Sequence, residues 1–133
     1  MGIPGLWKVL AAISQKRSLT EFTAREGWET RRHTTGALII AVDASPWMYE
    51  AQGAIESVRR KGAARASLGK NAELRLLFDR VAGLAYLPVI IVFVFDGAKR
   101  PSEKRNTAVG AAEHYLAQDF KKIIQNFGFY SHD

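Results

Sequence analysis

The sequence predicts an α/β fold, a parallel sheet with helices on both faces, and two observations carry that expectation. Residues Ala37-Leu38-Ile39-Ile40-Ala41-Val42 and Val89-Ile90-Ile91-Val92-Phe93-Val94-Phe95 are short, unbroken apolar runs rich in β-branched side chains. Strands covered on both faces read this way, whereas half-exposed strands alternate. Helix-length segments separate the runs, as parallel pairing requires, and right-handed crossovers are the default.

Taken in order, the segment from 14 to 36 is polar and contains Gly27, so it reads as an irregular connection anchored by Trp28. The first strand follows Gly36 and ends at Asp43. Ser45-Pro46 reads as a helix start, with Ser45 as cap and Pro46 in the first turn. The helix runs from about Trp47 to Arg60. Residues 61–71 hold two glycines and several basic residues and read as a loop. A second helix spans about Ala72 to Tyr86, its apolar stripe made by Leu74, Leu77, Phe78, Val81 and Leu84. Pro88 ends it, and the second strand runs to Phe95. Residues 98–110, broken by Pro101, read as a loop or a weakly ordered helical segment. A helix returns from about Ala111 to Phe127, with Tyr115, Leu116, Phe120, Ile123, Ile124 and Phe127 on its buried face and Gly128 as its C-terminal cap. Phe129-Tyr130-Ser131 begins a third strand.

The composition is that of one globular domain: 47% hydrophobic and 24% charged over 133 residues. No apolar run reaches the roughly 20 residues of a membrane span. The opening residues match neither a secretory signal nor the myristoylation pattern, since Leu6 stands where Ser or Thr is needed. With no cysteine, thiolate metal sites and cysteine nucleophiles are excluded. No glycine-rich phosphate loop with its lysine is present. The net charge of +6 and pI near 9.8 favour a polyanionic partner. The charge is also clustered: Arg59, Arg60, Lys61, Arg65 and Lys70 form one group, and Lys99, Arg100, Lys104 and Arg105 another. Such clusters read as phosphate-binding surface or as solvated loops.

Both strands end in an aspartate, Asp43 and Asp96. Ligands bind parallel sheets outside the carboxyl ends of the strands. If the strands are neighbours, the two carboxylates converge, and at ~5 Å with an effective dielectric of ~20 they repel by about 3 kcal/mol. A hard divalent cation offsets that and can activate water beside a phosphate. The competing reading is that each aspartate holds a turn or caps a helix. On pattern alone both readings stand. His33, His114 and His132 lack metal spacing and read as surface or rim residues; Trp7 and Trp47 read as core anchors.

Met1-Gly2-Ile3-Pro4-Gly5-Leu6-Trp7 resembles the opening of XPG-family nucleases. Ala41-Val42-Asp43-Ala44-Ser45 with Trp47 and Tyr49 resembles that family's first aspartate motif, and Val94-Phe95-Asp96-Gly97 with Arg100-Pro101 and Lys104-Arg105 its second. Glu50-Ala51-Gln52 points to the GEN-type Holliday-junction resolvase branch found in fungi. The likeness covers nearly the whole chain and implies a PIN-like fold. It also implies a nuclear, Mg²⁺- or Mn²⁺-dependent endonuclease of flaps or Holliday junctions, with branched DNA as partner and no small-molecule cofactor. A monomer is expected, with a dimer on a junction as the alternative.

By the same likeness Asp43 and Asp96 coordinate metal. Gly2 brings the N-terminal backbone near the site. Tyr49 meets DNA beside the scissile phosphate or serves as a rim aromatic. Lys104 contacts that phosphate, assisted by Arg100 or Arg105. The family's second basic residue has no counterpart around Val109-Gly110-Ala111. Its later acidic segments are also missing, so residues 1–133 are expected to form the N-terminal part of the nuclease domain, with weak metal binding and an exposed sheet edge. A non-catalytic nucleic-acid-binding module and a truncated product without function remain alternatives.

Overall fold

A computed structural model describes residues 5–33, 36–62, 68–97, 103–104, 107–108 and 113–133. The described elements are α1 (Leu6–Ala11), α2 (Leu19–His33), β1 (Ile39–Asp43), α3 (Ala44–Arg60), α4 (Ala72–Leu84), β2 (Ile90–Val94), β3 (Glu103–Lys104), β4 (Thr107–Ala108), α5 (Ala117–Asn126) and β5 (Tyr130–His132).

The two apolar runs form neighbouring parallel strands, with Ile39 opposite Ile90 and Asp43 opposite Val94. β5 adds to β2, also parallel, giving the order β1-β2-β5. The ladder extends one step further, where Phe95 N–H donates to His132 O at 2.8 Å. On one face Ile40, Val42, Ile91, Phe93 and Phe95 meet α3, α4 and α5 in a single apolar core. Phe93 and Phe120 are wholly buried there, edge-on with ring centroids 5.6 Å apart, and Trp47 packs on both. On the opposite face Ile39, Val94 and Tyr130 are exposed.

Gly128 ends α5 with φ near +76°, a left-handed conformation that glycine adopts without penalty. Its N–H donates to Gln125 O, and Phe129 N–H donates to Ile124 O. These paired bonds are a Schellman-type stop, as the sequence predicted.

Four expectations need correction. Residues 14–36 are mostly helix rather than an irregular connection. In α2, Thr23 is buried but Leu19, Phe22 and Trp28 are exposed, so no apolar stripe announces the helix. Residues 103–104 and 107–108 form an antiparallel strand pair rather than loop or helix. The last helix starts at Ala117, not near Ala111. His114 Nδ1 accepts the Leu116 N–H at 3.2 Å, and a side chain that captures a backbone donor in this way competes with helix. Tyr115, expected on that helix's buried face, is consequently exposed. Finally, Trp7 is 78% exposed and does not anchor the described core, whereas Trp47 does.

Candidate active site

The register sets the site. With Asp43 opposite Val94 in a parallel pair, Asp43 and Asp96 leave the sheet at the same, carboxyl edge. The turn after β1 then fixes Asp43. Its Oδ1 accepts the backbone N–H of Ser45 at 3.0 Å and so caps α3, a role the sequence reading gave to Ser45. An aspartate bonding the amide two residues on is the usual Asx geometry. Freed from capping, the Ser45 hydroxyl reaches across to β2 and donates to Asp96 Oδ2 at 2.8 Å. One serine thus tethers both carboxylates, the first by its amide and the second by its hydroxyl. The two readings of the aspartates left open by the sequence are therefore not exclusive. Asp43 caps a helix and also stands beside Asp96.

β5 delivers a third acid nearby. Asp133 follows His132, which pairs with Val94, and the Gly97 Cα approaches the Asp133 backbone closely enough that a Cβ there would lie 3.6 Å from its carbonyl carbon. Asp133 is already engaged: Lys121 Nζ lies 2.6 Å from its Oδ1 and 3.2 Å from Glu113 Oε1, above the Phe95 ring. The hydrogen bond to Asp133 and that to Glu113 raise the Lys121 pKa against the opposing effect of burial. Glu113 is lowered by hydrogen bonds from Gln118 first and Lys121 second. This network closes the β5 side of the edge with opposite charges. Among the described residues no three His, Asp or Glu side chains converge to form a metal cluster.

Tyr49 lies on α3, six residues beyond Asp43, which is about 9 Å along a helix axis. Its ring is 60% exposed and meets His114 at right angles with centroids 4.7 Å apart. At the far end of α3, Arg59 pairs with Glu73 at 3.1 Å, and Arg60 and Lys61 are exposed. Lys104 belongs to β3, and nothing is described of its side chain. Gly2, Arg65, Arg100 and Arg105 lie outside the described residues.

Sequence reasoning missed Ser45 as the bridge, and it missed His114 with Gln52. The Asp-x-Ser spacing carried a signal for the first. Nothing in the sequence tied position 114 to position 52.

A family profile, XPG N-terminal domain, matches residues 1–117. The mouse DNA excision repair protein ERCC-5 is 26% identical over 132 residues, covering 96% of this chain and 10% of that protein. Among solved structures, the Holliday junction-resolving enzyme GEN1 in complex with product DNA and Mg²⁺ superposes with a TM-score of 0.64 at 26% identity. That match covers 99% of this chain and 26% of the GEN1 chain. The chain thus spans a minor part of each relative.

Proposed function

The chain belongs to the XPG N-terminal domain family, and from that premise we propose that it forms the N-terminal part of a structure-selective DNA endonuclease. The enzyme hydrolyses a phosphodiester at a flap or a Holliday junction in the nucleus. The observation that carries this reading is the shared tether: Asp43 and Asp96, from adjacent parallel strands, both bond Ser45 at the carboxyl edge. The similarity to a nuclease crystallised with DNA and Mg²⁺, and to an excision-repair protein, supports the substrate class and the compartment.

The donor set suits a hard cation. Mg²⁺ is commonly held by one or two carboxylates, with water and substrate phosphate completing the shell. Asp43 and Asp96 would hold one Mg²⁺ or Mn²⁺, which when bound supplies a Lewis acid and an acidified water at the phosphate. The chain's own residues do the positioning. The Ser45 amide and hydroxyl fix the two carboxylates before substrate arrives. Tyr49 offers an exposed ring on which a base at the branch can stack. By likeness to the family's second aspartate motif, Lys104, with Arg100 or Arg105, would supply positive charge to the scissile phosphate, and by likeness to its opening motif Gly2 would bring the N-terminal backbone to the site. Exposed Arg60 and Lys61 extend the positive surface toward duplex backbone.

Replacing Ser45 by alanine tests the tether. Losing one hydrogen bond to a carboxylate should lower stability by about 1 kcal/mol, read from urea unfolding. It should also weaken Mn²⁺ binding by roughly 10–100-fold, the usual cost of an outer-shell partner, read by titration.

A second reading, a nucleic-acid-binding module without catalysis, draws on the absence of a third converging acid among the described residues. Cleavage separates the two. A polypeptide that continues this segment through the rest of an XPG-family nuclease domain should nick flap or four-way-junction DNA in Mg²⁺ and be inert in EDTA. Salt-sensitive DNA binding without cleavage in any divalent metal would instead favour the binding module.

A further inference from the structure

The geometry points to His114 as a positioning residue that sets the Tyr49 ring for stacking on an unpaired nucleobase. The inference rests on the nucleic-acid reading above and deepens it.

His114 is held by contacts from two elements. Its Nδ1 accepts the Leu116 N–H at 3.2 Å, so the ring hydrogen sits on Nε2, which faces Gln52 Oε1 at 3.2 Å. Gln52 is oriented in turn: its amide nitrogen donates to Glu56 Oε1 at 3.0 Å, turning its carbonyl toward the histidine. Leu116 is buried at the root of α5, whose Phe120 packs against Trp47 of α3. The imidazole is therefore anchored both to the start of α5 and to the helix that carries Tyr49. Tyr115 stacks on it with centroids 4.8 Å apart and an interplanar angle of 23°.

Against this fixed ring Tyr49 stands nearly perpendicular, at 85°. Edge-to-face contact is a favoured aromatic geometry, and it narrows the rotamers open to an otherwise exposed tyrosine. A ring already confined loses less freedom when a base stacks on it. The contact therefore affects DNA affinity through Tyr49 without His114 touching the base.

The test is a double-mutant cycle on the 133-residue chain, using fluorescence anisotropy with a fluorescein-labelled flap duplex in EDTA. His114→Ala should weaken binding about three- to tenfold, the cost of immobilising one freed side chain. Tyr49→Ala should weaken it at least as much, and adding His114→Ala to Tyr49→Ala should change little further. His114→Phe keeps the ring contact and should recover part of the loss. In the free protein, NMR should place the ring hydrogen on Nε2, and the Tyr49 ring-proton shifts should relax toward random-coil values in His114→Ala. An effect of His114→Ala that is absent, or equally large without Tyr49, overturns the inference and leaves stacking by Tyr49 intact. Unchanged binding by Tyr49→Ala overturns the stacking role itself, and the inference falls with it.

Discussion

Asp96→Ala is expected to abolish Mg²⁺-dependent cleavage of flap and four-way-junction DNA by a nuclease that contains this segment, and Asp43→Ala to do the same. On the reading proposed above, each carboxylate is a hard ligand and part of the negative charge at the described edge. Removing Asp96 also strips the Ser45 hydroxyl of its acceptor, so the tether to Asp43's turn is lost with it. An outer-shell partner typically accounts for ~10–100-fold in metal affinity or activity, and a direct ligand should exceed that, giving a loss of about 10³-fold or more in single-turnover rate. The sign of the binding effect is opposite. In EDTA, DNA affinity should not fall in Asp96→Ala, because deleting a negative charge beside a phosphate reduces repulsion. Loss of cleavage with binding kept separates a chemical role for Asp96 from a structural one.

The largest effect on stability is expected at Phe93→Ala. Phe93 is fully buried on β2, three residues before Asp96, and packs edge-on against both Trp47 and Phe120. Phe→Ala in such a setting removes the burial free energy of the ring and leaves a cavity, about 3–5 kcal/mol together. Domains of this kind have only ~5–15 kcal/mol to lose. Urea unfolding followed by far-UV circular dichroism should show the midpoint falling sharply or the native baseline vanishing. Phe78→Ala is the control: that ring is 49% exposed and should cost markedly less.

β1 and β2 were legible because each packs one face on the core, and their apolar runs need no tertiary information to be seen. The aspartates were legible for the same reason, since each simply follows its run. Helix α3 is announced by the Ser45-Pro46 start signal and α4 and α5 by stripe and stop signals, with Gly128 ending α5 as predicted. What escaped depends on contacts distant in sequence or on no burial at all. Helix α2 shows mostly exposed apolar positions, so a stripe search passes over it. The start of α5 is decided by the His114 ring taking the Leu116 N–H, a competition invisible in propensities. Ser45 was read as a cap because serine before proline usually is one. Only the hydrogen bonds of the fold show that Asp43 takes that role and leaves the hydroxyl for Asp96. The roles of Gly2, Arg100 and Arg105 stand on motif likeness, since these positions lie outside the described residues.

The central claim is that two acids from neighbouring strands share one edge and hold one divalent ion. Substoichiometric Mn²⁺ added to the isotope-labelled chain measures this directly by paramagnetic broadening of amide resonances. The amides of Asp43, Ser45, Asp96 and Gly97 should broaden first, and Asp43→Asn combined with Asp96→Asn should eliminate the effect. Broadening centred on Glu113 and Asp133, or the same pattern in the double variant, would contradict it.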